Sequence, residues 1–179
     1  MLEMKKISSF ILKVLSILTV VAQIFCGIAA ASVIFANVAV LFVSGEAATE
    51  LKKYVLQPSN LSKGMLELSG LNALLILVSI IFALHALRKI INNIAESNFF
   101  VESNVNNMKL MVGSVVIFIL GNILSMMFFS FGNGRNLSSV FSNSWGQIGS
   151  YLILLAIIYM LYLVFKYGFE LQHDSDTVI

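Results

Sequence analysis

Apolar residues in this chain come in four long blocks separated by polar stretches. The first runs from about Phe10 to Val43 and the second from about Leu71 to Leu87. The third runs from about Met108 to Phe131 and the fourth from about Ile148 to Phe169. A bilayer's hydrocarbon core is about 30 Å thick and takes roughly 20 helical residues to cross. In lipid every backbone amide must find its partner within its own segment, so each block is predicted to be helical. The expected fold class is all-α: a polytopic membrane protein with a four-transmembrane-helix bundle, in a single domain over residues 1–179.

Two blocks depart from a simple crossing. The first is longer than one crossing needs, which predicts a tilt or an extension beyond the lipid. Its start, Lys5-Lys6 followed by an apolar run, also has the look of a signal peptide. That run is too long for a signal core of about 7–15 residues, so an uncleaved signal-anchor is expected. The second block does not stop where a bilayer would. Leu84, Leu87, Ile90, Ile91 and Ile94 hold an apolar stripe at helical spacing, with Arg88, Lys89, Asn92, Asn93 and Glu96 on the other faces. This predicts an amphipathic extension to about residue 96, a break near Ser97-Asn98, and a new helix starting near Ser103-Asn104. Together these form a helical hairpin extension between the second and third helices. Glu102 stands at the new start, where negative charge is favourable.

The connections differ in character. Between the first two blocks, Ala47, Ala48, Leu51, Tyr54 and Val55 recur at helical spacing up to Pro58. They fit either a short amphipathic helix or a plain loop. The Gly/Asn-rich stretch from Gly132 to Asn136 reads as a turn, and Trp145 as an interfacial anchor. Asn60-Leu61-Ser62 and Asn136-Leu137-Ser138 have the form of glycosylation sequons, which decide nothing by themselves.

Charge sets the direction of insertion. Of the 11 basic residues, Lys5, Lys6, Lys13, Arg88, Lys89, Lys109 and Lys166 fall on one side of the crossings. Lys52, Lys53, Lys63 and Arg135 fall on the other. Basic residues favour the cytoplasmic side, so both termini, the hairpin and the tail 170–179 are expected in the cytoplasm. Composition agrees with a membrane chain: 59% of residues are apolar and 11% charged, too few to clothe a soluble domain. A net charge of +2 gives no basic surface for nucleic acid. The single cysteine, Cys26, can form no intramolecular disulfide, and Gln23-Ile24-Phe25 is a poor approach to a lipidated cysteine.

Chemistry-bearing patterns are sparse. No Asp, Glu, Lys or Arg lies in the middle of any apolar block, and His85 falls about one turn before Arg88, near headgroup depth. No spacing of His and Cys suits a metal, and no base stands near a candidate nucleophile. A non-enzymatic protein without cofactor is therefore expected. Gln23, Asn37, Asn72 and Asn122 could hydrogen-bond between helices or line a small polar cavity. Gly27 with Ala31, and Gly113, Ile117, Gly121 and Ser125, are spaced for close helix approach, within the bundle or in a homo-oligomer.

Three segments carry a family resemblance. They are Leu87-Arg88-Lys89-Ile90-Ile91 followed by Asn98-Phe99-Phe100-Val101-Glu102-Ser103-Asn104-Val105; Gly168-Phe169-Glu170-Leu171-Gln172; and Asp174-Ser175-Asp176-Thr177-Val178-Ile179. The chain resembles a bacterial family of four-pass membrane proteins of unknown function, and the likeness covers the whole topology. Phe99 stands where the family's turn has proline, and Val101 where it has threonine. The latter change removes a natural N-cap and leaves Ser103 or Asn98 to serve. Members are often encoded beside Cro/C1-type helix-turn-helix regulators. The resemblance thus implies a bacterial plasma-membrane protein that regulates or senses through a cytoplasmic protein partner such as a transcription regulator. The candidate partner-binding residues are Arg88, Lys89, Phe100, Glu102, Asn104, Asp174 and Asp176. The competing expectation is a handler of small molecules or peptides, of exporter or bacteriocin-immunity type. A weaker one is a structural subunit of a larger complex.

Overall fold

Helices account for almost every residue the structure describes. It is a computed structural model that describes residues 2–42, 63–129 and 144–177. The order is α1 (Leu2–Phe42), α2 (Lys63–Ala95), α3 (Glu102–Leu124), a π-helical turn (Ser125–Phe129) and α4 (Trp145–Thr177). All four α-helices are long and apolar enough to cross a membrane. The stretch Ala47–Val55, expected as a short helix or a plain loop, the turn at Gly132–Asn136 and both sequons lie outside the described residues.

The helices outrun their apolar blocks. α1 has 41 residues, and α2 and α4 have 33 each. At 1.5 Å per residue these are roughly 60 Å and 50 Å long, well beyond one hydrocarbon thickness. The last stretch of the chain, expected as a tail from residue 170, continues α4 as helix to Thr177.

The chain divides into two compact units, each drawing on all four helices. The first comprises Met1–Phe25, Ile80–Val116 and Ile153–Ile179, and the second Cys26–Ser79 and Ile117–Leu152. Burial is concentrated on α2 and α3. In the first unit Ala86, Ile90 and Ile91 of α2 and Val105, Met108, Met111 and Val115 of α3 are buried, with Ile158 of α4. In the second unit Ala73, Ile76, Leu77, Ile119 and Ile148 are buried. Among described α1 residues only Thr19 is buried, while Phe10, Phe25 and Phe35 are each more than two-thirds exposed. Apolar side chains bared on this scale call for lipid or another apolar partner rather than water.

Polar side chains inside this assembly fold back onto backbone carbonyls. Ser114 Oγ donates to Leu110 O, Ser79 Oγ to Ile76 O, Asn37 Nδ2 to Val33 O and Asn122 Nδ2 to Phe118 O, all at 2.7–2.9 Å. Such bonds satisfy a donor without water. Two of the four amides singled out above bridge helices instead. Gln23 Nε2 donates to Ile81 O at 3.3 Å, and Asn72 Nδ2 to Gly121 O at 2.9 Å. Gly121 permits that approach, because a Cβ there would come within 2.7 Å of Ile76 Cγ1. A Cβ at Gly27 or Gly113 would meet nothing within 4 Å among the described residues, so no described neighbour requires glycine there.

Helix ends follow local rules, with one exception. Ser144-Trp145-Gly146-Gln147 has the capping-box pattern, and Ser144 Oγ accepts from Gln147 N at 3.4 Å, so α4 starts about one turn before its apolar block. α2 ends in a Schellman motif: Asn98 N donates to Asn93 O at 2.8 Å and Ser97 N to Ile94 O at 3.0 Å. The left-handed residue that this motif requires is Ser97, at φ 68°. Glycine adopts that conformation without the steric cost a Cβ brings. Ser97→Gly should therefore stabilise the protein by about 1 kcal/mol. It would be read as a raised thermal-unfolding midpoint in detergent, and a lowered midpoint would contradict the assignment.

Candidate functional site

The most polar structured region lies in the first unit, where α2 turns into α3. Asn104 is its hub. It is fully buried, and its Nδ2 donates to Asn98 O at 2.9 Å and to Phe99 O at 2.8 Å. Its Oδ1 accepts from Asn93 Nδ2 at 2.7 Å. One amide thus ties the last turn of α2, the connecting residues and the first turn of α3. Asn107 Nδ2 donates to Ser103 O at 2.7 Å, and Asn92 Oδ1 accepts from Ser16 Oγ of α1, also at 2.7 Å. These asparagines close the connection between the two helices that the apolar stripe predicts.

The start of α3 falls one residue before Ser103. Val101 O takes the first backbone bonds, from Asn104 N at 2.9 Å and Val105 N at 3.4 Å. Val101 itself is therefore the capping position, and it offers no side-chain oxygen. Neither Ser103 nor Asn98 holds that position; the Asn104 amide restrains the turn in their stead. Glu102 is the first helical residue, where its charge complements the helix dipole.

Phe100 joins this turn to α4. Its ring lies 6.1 Å from the Phe165 ring, inclined at 60°. It also sits directly over Gly168, where any Cβ would overlap the ring. The first two resemblance segments, remote in sequence, are thus in contact through Phe100 and Gly168. Below them on α4, Phe169 and His173 stack with centroids 6.0 Å apart. Lys166 Nζ and Glu170 Oε1 are 3.8 Å apart on an exposed face, a pair that adds little to stability.

Placement sorts the candidate residues. Arg88, Lys89 and Glu102 are exposed, as is Asp174 near the end of α4. Phe100 is 39% exposed, and its neighbour Phe99, which is not among the candidate residues, is 49% exposed. Asn104 is buried, and its Nδ2 donates to two backbone carbonyls of the turn. Asp176 lies in α4, but its side chain falls outside the described residues. His85 is exposed on α2. Among the described residues no three of His, Cys, Asp and Glu group closely enough to hold a metal ion.

The described residues form a small all-helical protein with four helices that could each cross a membrane, and a hydrogen-bonded polar turn seated on α4. The chain belongs to the DUF2975 family, proteins of unknown function, whose family model matches residues 68–179. That match takes in most of α2 with α3 and α4, including every residue of the hairpin and its seat, and leaves out α1. No curated protein and no solved structure matches the chain.

Two measurements probe the site. Asn104→Asp places a carboxylate oxygen against two carbonyls, so it should destabilise by about 3 kcal/mol, more than Asn104→Ala. Equal thermal-unfolding midpoints for the two variants would show that the amide donors do not hold the turn. Gly168→Ala should lower the midpoint, and Phe100→Ala in the same chain should recover it, with a coupling of about 1–2 kcal/mol in a double-mutant cycle. Additive effects would mean that the Phe100 seat carries no energy.

Proposed function

We propose that this chain is an integral multi-pass protein of a bacterial plasma membrane, with both termini in the cytoplasm. It acts by protein contact at its cytoplasmic end, without catalysis. The observation that carries this reading is the seating of Phe100 on Gly168, which makes the hairpin and the end of α4 a single surface. Exposed on these elements are the cations of Arg88 and Lys89, the carboxylates of Glu102 and Asp174, and the half-exposed ring of Phe99, which we assign to the contact face. Mixed charge around an accessible aromatic suits a protein partner better than a nucleic acid, whose phosphates would be repelled by the carboxylates.

The placement of basic residues supports the orientation, since seven of the 11 fall on the hairpin side. The partner class follows from the family resemblance: a cytoplasmic transcription regulator of helix-turn-helix type, held at or released from the membrane face.

Photo-crosslinking from position 99 in the host cell would test this. The full chain should yield a discrete cytoplasmic adduct. The yield should fall about tenfold in Arg88→Glu/Lys89→Glu and in a chain ended after Gln172, as expected when interface charges are reversed or removed. Unchanged yield in both variants would overturn the reading.

A further inference from the structure

The outer side of α4 carries polar groups that the chain itself does not satisfy. Tyr159 is 48% exposed, and Ala156 is exposed beside it. The Tyr159 and Tyr162 rings lie 5.9 Å apart, inclined at 40°, and neither phenol has a hydrogen-bond partner among the described residues. Lys166 is the first charged residue of α4, so it marks the headgroup level of that helix. Tyr159 stands about two turns before it, roughly 10 Å further into the hydrocarbon. Helical side chains lean toward the N-terminus, which on α4 is away from Lys166, so the Tyr159 hydroxyl gains nothing by reaching for the headgroups. Acyl chains supply neither donor nor acceptor there, whereas a tyrosine hydroxyl removed from water ordinarily finds a partner.

The pattern around Tyr159 selects that partner. Ala156, Tyr159, Leu163, Lys166 and Glu170 follow one another in steps of three, four, three and four, the spacing of a coiled-coil seam. This seam lies on the opposite side of α4 from Ile158, Phe165 and Gly168, which pack into the first unit. Two copies inserted the same way round pair about a two-fold axis along the membrane normal, which sets each seam position against itself. A phenol suits that arrangement because it both donates and accepts, so one Tyr159 hydroxyl donates to the other. Ala156 on the same seam lets the two backbones approach.

The charges fit the same pairing. Lys166 Nζ and Glu170 Oε1 are 3.8 Å apart within one chain, with side chains 42% and 50% exposed. Lysine before glutamate is the weaker order for such a pair on one helix. Across a parallel seam each lysine also faces the glutamate one step along on the other helix, so four charges alternate in sign. An unrelated helix would have to match both the phenol depth and this charge order, and a second copy matches them by construction. We infer that the chain forms a parallel homodimer through α4, with the two Tyr159 hydroxyls bonded to each other and Lys166 and Glu170 paired crosswise. The inference stands apart from the cytoplasmic partner proposed above.

The test uses the full chain carrying Cys26→Ser, at low density in phosphatidylcholine vesicles. Oxidative crosslinking between copies should be about fivefold stronger for Ala156→Cys and Leu163→Cys than for Ile157→Cys, which lies on another side of α4. Energy transfer between labelled copies should show Tyr159→Phe weakening the dimer about fivefold in Kd. Lys166→Glu should weaken it as well, and Glu170→Lys in the same chain should restore it, because the swap regenerates the crosswise pairs. Equal crosslinking at all three positions would mean random collision, and the inference fails. It fails too if a dimer forms that neither Tyr159→Phe nor Lys166→Glu weakens, since the copies then pair elsewhere. Crosslinks from Ala156→Cys in the host membrane to a different protein, with none between copies, would give the seam to another helix and overturn it as well.

Discussion

Acyl chains offer no hydrogen bonds, so a polar side chain carried between helices of this kind is stable chiefly where the protein itself supplies its partner. That constraint shapes most of what the structure shows. Serines and asparagines along α2 and α3 turn back on their own carbonyls, which keeps the helices smooth for packing. Where an amide reaches further, it fixes a helix pair: Asn72 to Gly121 in one unit, Asn93 to Asn104 in the other. The same amide chemistry serves two ends. Inside the second unit it sets the level of two helices. At the hairpin it replaces the glycine turn and capping hydroxyl that such a connection usually employs.

The four helices were legible because apolar blocks of this length leave a chain in lipid little alternative. The break at Ser97-Asn98 was legible too, since the stripe through Ile94 ends there. Ends were harder. α4 starts at Trp145 because Ser144 and Gln147 form a capping pattern, a signal present in the sequence but masked by the Ser/Asn-rich stretch around it. The tail reads as a separate acidic segment in sequence, whereas the helix runs on through it to Thr177.

The candidate site was half legible. Exposed charge at Arg88, Lys89 and Glu102 follows from the faces of the helices. The burial of Asn104 does not. An asparagine at a helix start reads as a solvated cap, and only the three-dimensional turn shows it surrounded by the carbonyls it serves. Neighbouring phenylalanines look alike in one dimension, and what separates Phe100 from Phe99 is its seat over Gly168. α1 illustrates the opposite case, a strong sequence signal with a minor share in the interior, and the family match also begins after it.

The seat of Phe100 on Gly168 has a consequence for how this family can vary. Neither residue can change alone without opening a hole or forcing an overlap, so the two positions form one unit of inheritance. Relatives that keep an aromatic ring at the position of Phe100 should keep glycine at that of Gly168. Lineages that acquire a side chain on α4 should have shed the ring first. Paired drift at these two columns, across a gap of nearly seventy residues, would be the record of that contact left in sequence.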